Sequence, residues 1–333
     1  VLIVHNDFVE YTVNKINGRF SIRTKEGHPL KDRDSELPLL YLNKIPETSF
    51  TTFKIDGKDY IFGNNYGFLG TDGQFIYQPS TNGYTNKSRW KVDGLEITQT
   101  IELVGDTTNP DVGNVKITYD VKNTSNESKT IGTRILLDTM LGANDASPIS
   151  LGGGSQFIHK ETVVEGRDVP YYWRAVDDPM VPNVTSYGFI SGWGNRKPDR
   201  MVIAHWSGIS ETTWDYSVNT ELEFTSDRNI YGTADSAVAL YWDPVIISSG
   251  TERRFETYYG LGSFYTSQKD ATYGLQVFAP TKLLLNESKT GYLEKDFEIK
   301  AELDNSLDNA DLLYNVYVEI SLSDELELDA GEK

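Results

Sequence analysis

Between Phe8 and Leu261 the chain is a near-unbroken succession of short segments in which polar and apolar residues alternate, each closed by turn-forming residues. Alternation with a period of two turns one face of a strand to a core and the other to water. Asn-Gly or Asp-Gly between two such runs favours a tight hairpin. Phe8–Val13 and Arg19–Thr24 flank Asn17-Gly18, Thr48–Ile55 and Lys58–Phe62 flank Asp56-Gly57, and Arg89–Val92 and Leu95–Leu103 flank Asp93-Gly94. Asn114–Val121 and Thr130–Leu137 flank the polar run NTSNES, which reads as a further hairpin. Gln156–Val164, Ser186–Trp193, Arg200–Trp206, Ala237–Trp242 and Thr251–Leu261 also read as strands, whereas Gly63–Gln74 reads as loop. No amphipathic helix of three turns precedes Ser263, and short helices are expected near Trp214 or Asp227. The prediction is an all-β chain. Residues 1–264 are too many for one small sandwich and suit a large antiparallel β super-sandwich.

The pattern changes after Gly262. Residues 265–274 read as a linker. Leu275–Pro280, Leu283–Leu285, Phe297–Leu303 and Asn315–Leu322 read as strands of a second unit, 275–333, a small Ig-like β-sandwich represented only in part.

Charge narrows the function classes. The net charge is -18, which disfavours nucleic acid and anionic membrane as partners. There are no cysteines, so disulfides and thiolate metal sites are excluded, and a bacterial surface or secreted protein is the expectation. No apolar run reaches the length of a membrane span, so membrane insertion is not expected. N-x-S/T sequons occur at Asn86, Asn123, Asn126, Asn183 and Asn286.

Two stretches carry a resemblance. ITYDVKNTSNESKTIGTRILLDTM, Ile117–Met140, resembles the central strand–turn–strand of galactose-mutarotase-like super-sandwich proteins. AELDNSLDNADLLYNVYVEISLSDELELDAGE, Ala301–Glu332, is similar to the Ig-like repeats of bacterial surface proteins. The runs GRFSIRT, PETSFTTFKIDGKDYIFG and ALYWDPVIISSGTERRFETYYGLG resemble segments of large bacterial cell-surface proteins. The first resemblance implies a sugar cleft lined by the end of the second strand. Active aldose epimerases of that group carry an Asn-His pair there, a second His as general acid and a late Glu as base. Here the matching place reads RILLDTMLGAND, with Arg134 and Asp138 and no His. Epimerase chemistry is therefore not expected.

Candidate site residues follow. Asp138, Asn144 and Asp145 offer hard oxygen ligands near Gly142, a combination that suits calcium; the alternative is a turn shaped by Asn144 and Asp145. Arg134, Asp138, Trp173, Trp193 and His205 are the candidate glycan ligands, with Trp206 as a further ring. Sugar C–H faces stack on indoles and hydroxyl groups bind Arg and Asp; the alternative for each indole is core packing. Asp138 with Glu256 or Asp177 is a possible glycosidase pair. No G-x-S-x-G occurs, and LGGGS at 151–155 lacks the Lys of a phosphate-binding loop. The expected function is a non-catalytic cell-surface or secreted module that binds carbohydrate or a cell-surface protein, or acts as an adhesion or scaffold domain. The alternatives are a carbohydrate-active enzyme and a subunit of a surface layer or fibre.

Overall fold

The computed structural model describes residues 1–28, 33–64, 73–104, 112–152, 156–170, 172–190, 197–263, 274–278 and 300–304, with 314–317, 319 and 327. In chain order the first strands are β1 (Leu2–His5), β2 (Val9–Val13), β3 (Phe20–Thr24), β4 (Phe50–Ile55), β5 (Lys58–Ile61), β6 (Gln74–Asn82), β7 (Thr85–Val92) and β8 (Leu95–Val104). Next come β9 (Val112–Asn123), β10 (Lys129–Thr139), β11 (Ile149–Leu151), β12 (Thr162–Glu165), β13 (Tyr172–Val176), β14 (Thr185–Phe189) and β15 (Arg200–Ala204). The helix α1 (Trp206–Ser210) precedes β16 (Ser236–Ile247), β17 (Glu252–Ser263), β18 (Gly274–Phe278) and β19 (Lys300–Asp304).

Two large antiparallel sheets form the sandwich. One has the order β12-β15-β16-β10-β4-β5, the other β11-β13-β14-β17-β9-β8-β7-β6, and β1-β2-β3 makes a third, smaller sheet. The hairpins marked by Asp-Gly fold as read. Asp56 and Gly57, and Asp93 and Gly94, all take positive φ, the geometry that a tight two-residue hairpin needs. Strand alternation sets the core. On β7 and β8 every second residue is buried and its neighbours are not. The inward residues Trp90, Ile97, Ile101, Val115, Ile117 and Phe255 pack with Ile131, Ile135, Leu137 and Leu240 of the opposite sheet.

One expectation is corrected at the centre. NTSNES is not a hairpin turn: β9 pairs with β8 and β17, whereas β10 pairs with β16 and β4. The run is a corner between the two sheets. Asn123 holds it: its Nδ2 donates to the carbonyls of Glu127 and Ile247, and its Oδ1 accepts from Ser125 N. Both strands carry so much apolar surface that each sits inside a different sheet.

Other differences are smaller. β6 was not expected, because Pro79 and polar residues obscure its alternation. Gln156–Val164 shortens to β12 with isolated bridges, and Trp206 opens α1 in place of ending a strand. Of the second unit, the described part is the β18–β19 ladder, five residue pairs long; Tyr314–Tyr317 belong to no strand, and Leu283–Leu285 lie outside the described residues.

Candidate functional site

The outer face of the six-stranded sheet is covered by the segment 205–235. On β10 the inward residues are Ile131, Ile135 and Leu137, so Arg134, Leu136 and Asp138 point outward. Leu136, Val202, Ala239 and Tyr241 pack there against Ile209 and Trp214 of the covering segment. Arg134 is fully buried under it. Its guanidinium donates to the carbonyls of Ile209 at 2.6 Å and Thr212 at 2.5 Å, and lies 5.6 Å from the Tyr241 ring centroid. Burial lowers its pKa, and its hydrogen-bonding capacity is turned to the backbone of the cover.

His205 caps α1. Its Nδ1 accepts from Ser207 N at 3.2 Å and its Nε2 donates to Thr233 O at 2.9 Å, which fixes one neutral tautomer. The ring packs on Tyr231 at 4.4 Å, and burial lowers its pKa. Glu161 anchors the same cover. Its carboxylate, 1% exposed, accepts from His205 N, Tyr216 Oη and Asn219 N at 3.1, 2.6 and 2.8 Å.

At the end of β10 lies an acidic cluster. Asp138 pairs in register with Ala237, so Asp235 sits two residues beyond on the same side of the neighbouring strand. The loop 140–148 brings Asp145 in, and its carbonyl accepts from Ser236 N at 2.9 Å. One carboxylate oxygen from each of Asp138, Asp145 and Asp235 lies within 4.8 Å of the others. Oδ1 of each has no hydrogen-bond partner. Asp138 is 2% exposed; Ser49 Oγ accepts from its backbone N–H, and the Thr48 side chain bonds its carboxylate. Burial, then the charge of Asp235, holds the Asp138 carboxyl well above the usual range. Burial raises Asp145, and burial with the Asp145 charge pushes Asp235 up to about 8.

Of the expected metal ligands, Asp138 and Asp145 meet, and Asn144 does not join them. Its Nδ2 donates to Asp177 O and its Oδ1 accepts from Ala146 N, so it shapes the turn. Asp235 takes the third place. It stands two residues before the run AVALYW, and its nearness to Asp138 depends on a pairing between strands about a hundred positions apart.

The expected glycan cleft is not assembled. Trp173 is fully buried between the sheets, stacked on Tyr259 at 5.1 Å and pressed against Gly188, where an added Cβ would lie 2.1 Å from the indole. It faces inward, whereas Arg134 and Asp138 face outward from the other sheet. Trp206 packs with the cover and donates to Thr48 O, and Trp193 lies outside the described residues. Asp138 and Glu256 stand on the outer faces of different sheets, and Asp177 binds Asn183 and Val184, so neither forms the expected pair.

The outer face of the eight-stranded sheet carries a second constellation. Register places Tyr172, Phe189, Tyr258, Lys116 and Glu102 in one row across β13, β14, β17, β9 and β8. Lys116 Nζ lies 3.7 Å from Glu102, 3.5 Å from Glu256 and 5.7 Å from the Tyr258 ring centroid. Tyr258 Oη donates to Glu256, and burial followed by the Glu256 charge raises its pKa. Four residues along each strand from Tyr258 and Lys116, Arg254 grips Asp120 with two hydrogen bonds of 2.6 and 3.1 Å. Phe189 and Tyr258 are half-buried, while Tyr172 and Tyr187 are buried and form a small aromatic cluster with Phe189. The sequence hid this row, since its members come from five strands.

No protein-family model and no curated protein matches the sequence. Among solved structures, similar chain paths occur in a GH36 α-galactosidase of Geobacillus stearothermophilus, at 9% identity and a TM-score of 0.39 over 78% of this chain and 39% of that one. A galactose mutarotase-like protein from Lactobacillus casei matches at 9% identity and a TM-score of 0.37, over 78% of this chain and 99% of that one. A polysaccharide lyase matches at 12% identity and a TM-score of 0.38, over 82% of this chain and 35% of that one. The chain thus spans about two fifths of the α-galactosidase.

Proposed function

We propose that this chain is a non-catalytic carbohydrate-binding β-sandwich, carried on the cell surface or secreted, whose ligand lies on the outer face of the eight-stranded sheet. The observation that carries the reading is the row Phe189–Tyr258–Lys116–Glu102 with Glu256 beside it. Half-buried aromatic rings give flat apolar surface to the C–H faces of a sugar, and packing of Phe189 on Tyr172 with the Tyr258–Glu256 hydrogen bond keeps the rings pre-set. Glu102, Asp120 and Arg254 supply acceptors and a fork of donors for hydroxyl groups at the edge of that surface, while Glu256, 4% exposed, fixes Lys116 and the Tyr258 hydroxyl. A strand face also suits an extended chain of sugars, because the row runs across four neighbouring strands.

The non-catalytic part is supported by Lys116. A glycosidase places the sugar between its two carboxylates. Here the Lys116 ammonium stands between Glu102 and Glu256. The acidic net charge of -18 accords with a surface or secreted protein. Cell fractionation that found the protein confined to the cytosol would remove that part of the reading.

The test is a glycan-array screen of the chain beside Tyr258→Ala and Glu256→Gln variants. The expected result is saturable binding to one glycan class, weakened about tenfold or more by either change. Absence of binding by the unaltered chain, or equal binding by both variants, would overturn the reading.

A further inference from the structure

We propose that Asp138, Asp145 and Asp235 bind one hard divalent cation, calcium in preference to magnesium, and that this ion fastens the end of the covering segment 205–235 to β10. The site is separate from the glycan face: it lies on the outer side of the other sheet, and neither proposal depends on the other.

Three observations carry it. First, the oxygens converge. One from each carboxylate lies within 4.8 Å of the other two. Oxygens this close can share one ion; calcium, at about 2.4 Å, accepts an irregular shell of protein oxygens, whereas magnesium demands near-octahedral geometry and keeps several waters, which a buried cluster does not suit. Second, one oxygen of each carboxylate lacks a partner. Asp138 is 2% exposed, yet its Oδ1 accepts no hydrogen bond, and the same holds for Oδ1 of Asp145 and Asp235. Among the described residues no Lys, Arg or His forms an ion pair with any of the three. A buried carboxylate with no cation beside it and one oxygen unbonded is costly, and a divalent ion removes the cost for three at once. Third, the donors are chemically uniform. All are carboxylate oxygens, and among the described residues no His or Cys joins them, which selects a hard ion over zinc or copper.

Placement gives the ion its role. Asp138 belongs to β10, Asp145 to the loop after it, and Asp235 ends the cover just before β16. Two residues before Asp235, Thr233 O receives the His205 Nε2 bond that ties the other end of the cover. An ion at the three aspartates would add to the backbone bonds, Asp235 N to Phe224 O and Ser236 N to Asp145 O, that already hold this end of the cover. The competing account is two shared protons in place of the ion.

The experiment uses the full chain, treated with EGTA and dialysed, then titrated calorimetrically with calcium, magnesium or manganese alone and melted with and without each. The expected result is one calcium per chain and a rise in Tm of about 5 °C or more at millimolar calcium, with a smaller rise in magnesium. Asp235→Asn and Asp145→Asn should each abolish the calcium response while raising the metal-free Tm, because each removes like charge. Asp215→Asn, at an exposed position, should keep the response. Absence of calcium binding by the unaltered chain, which is the shared-proton outcome, would overturn the proposal. So would a calcium response that survives in both Asp235→Asn and Asp145→Asn.

Discussion

The outer faces of the two large sheets both hold charged residues, and the charges do different things. On the six-stranded sheet Arg134 and Asp138 lie beneath the cover, and their neighbours are backbone carbonyls, Thr48 and other carboxylates. On the eight-stranded sheet Lys116, Glu102, Asp120 and Arg254 pair with one another at a half-exposed surface. Covered polar groups must be satisfied from within the protein, so they serve architecture. Uncovered ones can exchange their partners for a ligand. Where charge sits in a strand therefore says little about function until the cover over that strand is known.

The comparison can be broken by mutation. The largest expected effect is Glu161→Ala, which strands three donors of the cover and should cost about 3–5 kcal/mol in urea unfolding. A loss under 1 kcal/mol would mean that the cover is not anchored there. Arg134→Met comes next: it leaves the Ile209 and Thr212 carbonyls without their donor and should cost about 2–3 kcal/mol.

The acidic cluster predicts a pH trend for the chelated protein. Asp138, Asp145 and Asp235 all have raised folded pKa values, so the native state holds protons that the unfolded chain has released. That stability is complete below the unfolded value near 3.8 and is lost as pH rises through about 8. Tm measured in EGTA should fall over this window, and calcium should flatten the fall. On the open face effects on stability should be small. Tyr258→Ala should cost about 1 kcal/mol while weakening glycan binding, and Arg254→Ala, removing a pair at the surface, about 0.5 kcal/mol or less. An Arg254→Ala loss as large as that of Arg134→Met would erase the distinction between the faces.

The sequence made local pairing legible and left distant pairing hidden. Asp56-Gly57 and Asp93-Gly94 announce their hairpins because positive φ at both residues is a local demand. The alternation of β7 and β8 names its buried residues correctly for the same reason. The β9–β10 corner misleads because a polar run between two strands looks the same whether the strands pair or part company. The site suffered most. Asp138 and Asp145 are neighbours in sequence and were visible, but Asp235 is joined to them only by the β10–β16 register. Trp173 resembles a sugar platform in one dimension, and Gly188 on the adjacent strand shows why it is core: the missing Cβ makes room for the indole.

The most direct measurement is hydroxyl-radical footprinting of the chain with and without the oligosaccharide that binds best on the array. The account predicts that oxidation of Phe189 and Tyr258 falls on binding while that of Trp206 and Trp214 in the cover is unchanged. Protection confined to Trp206 and Trp214, with Phe189 and Tyr258 oxidised as before, would contradict it.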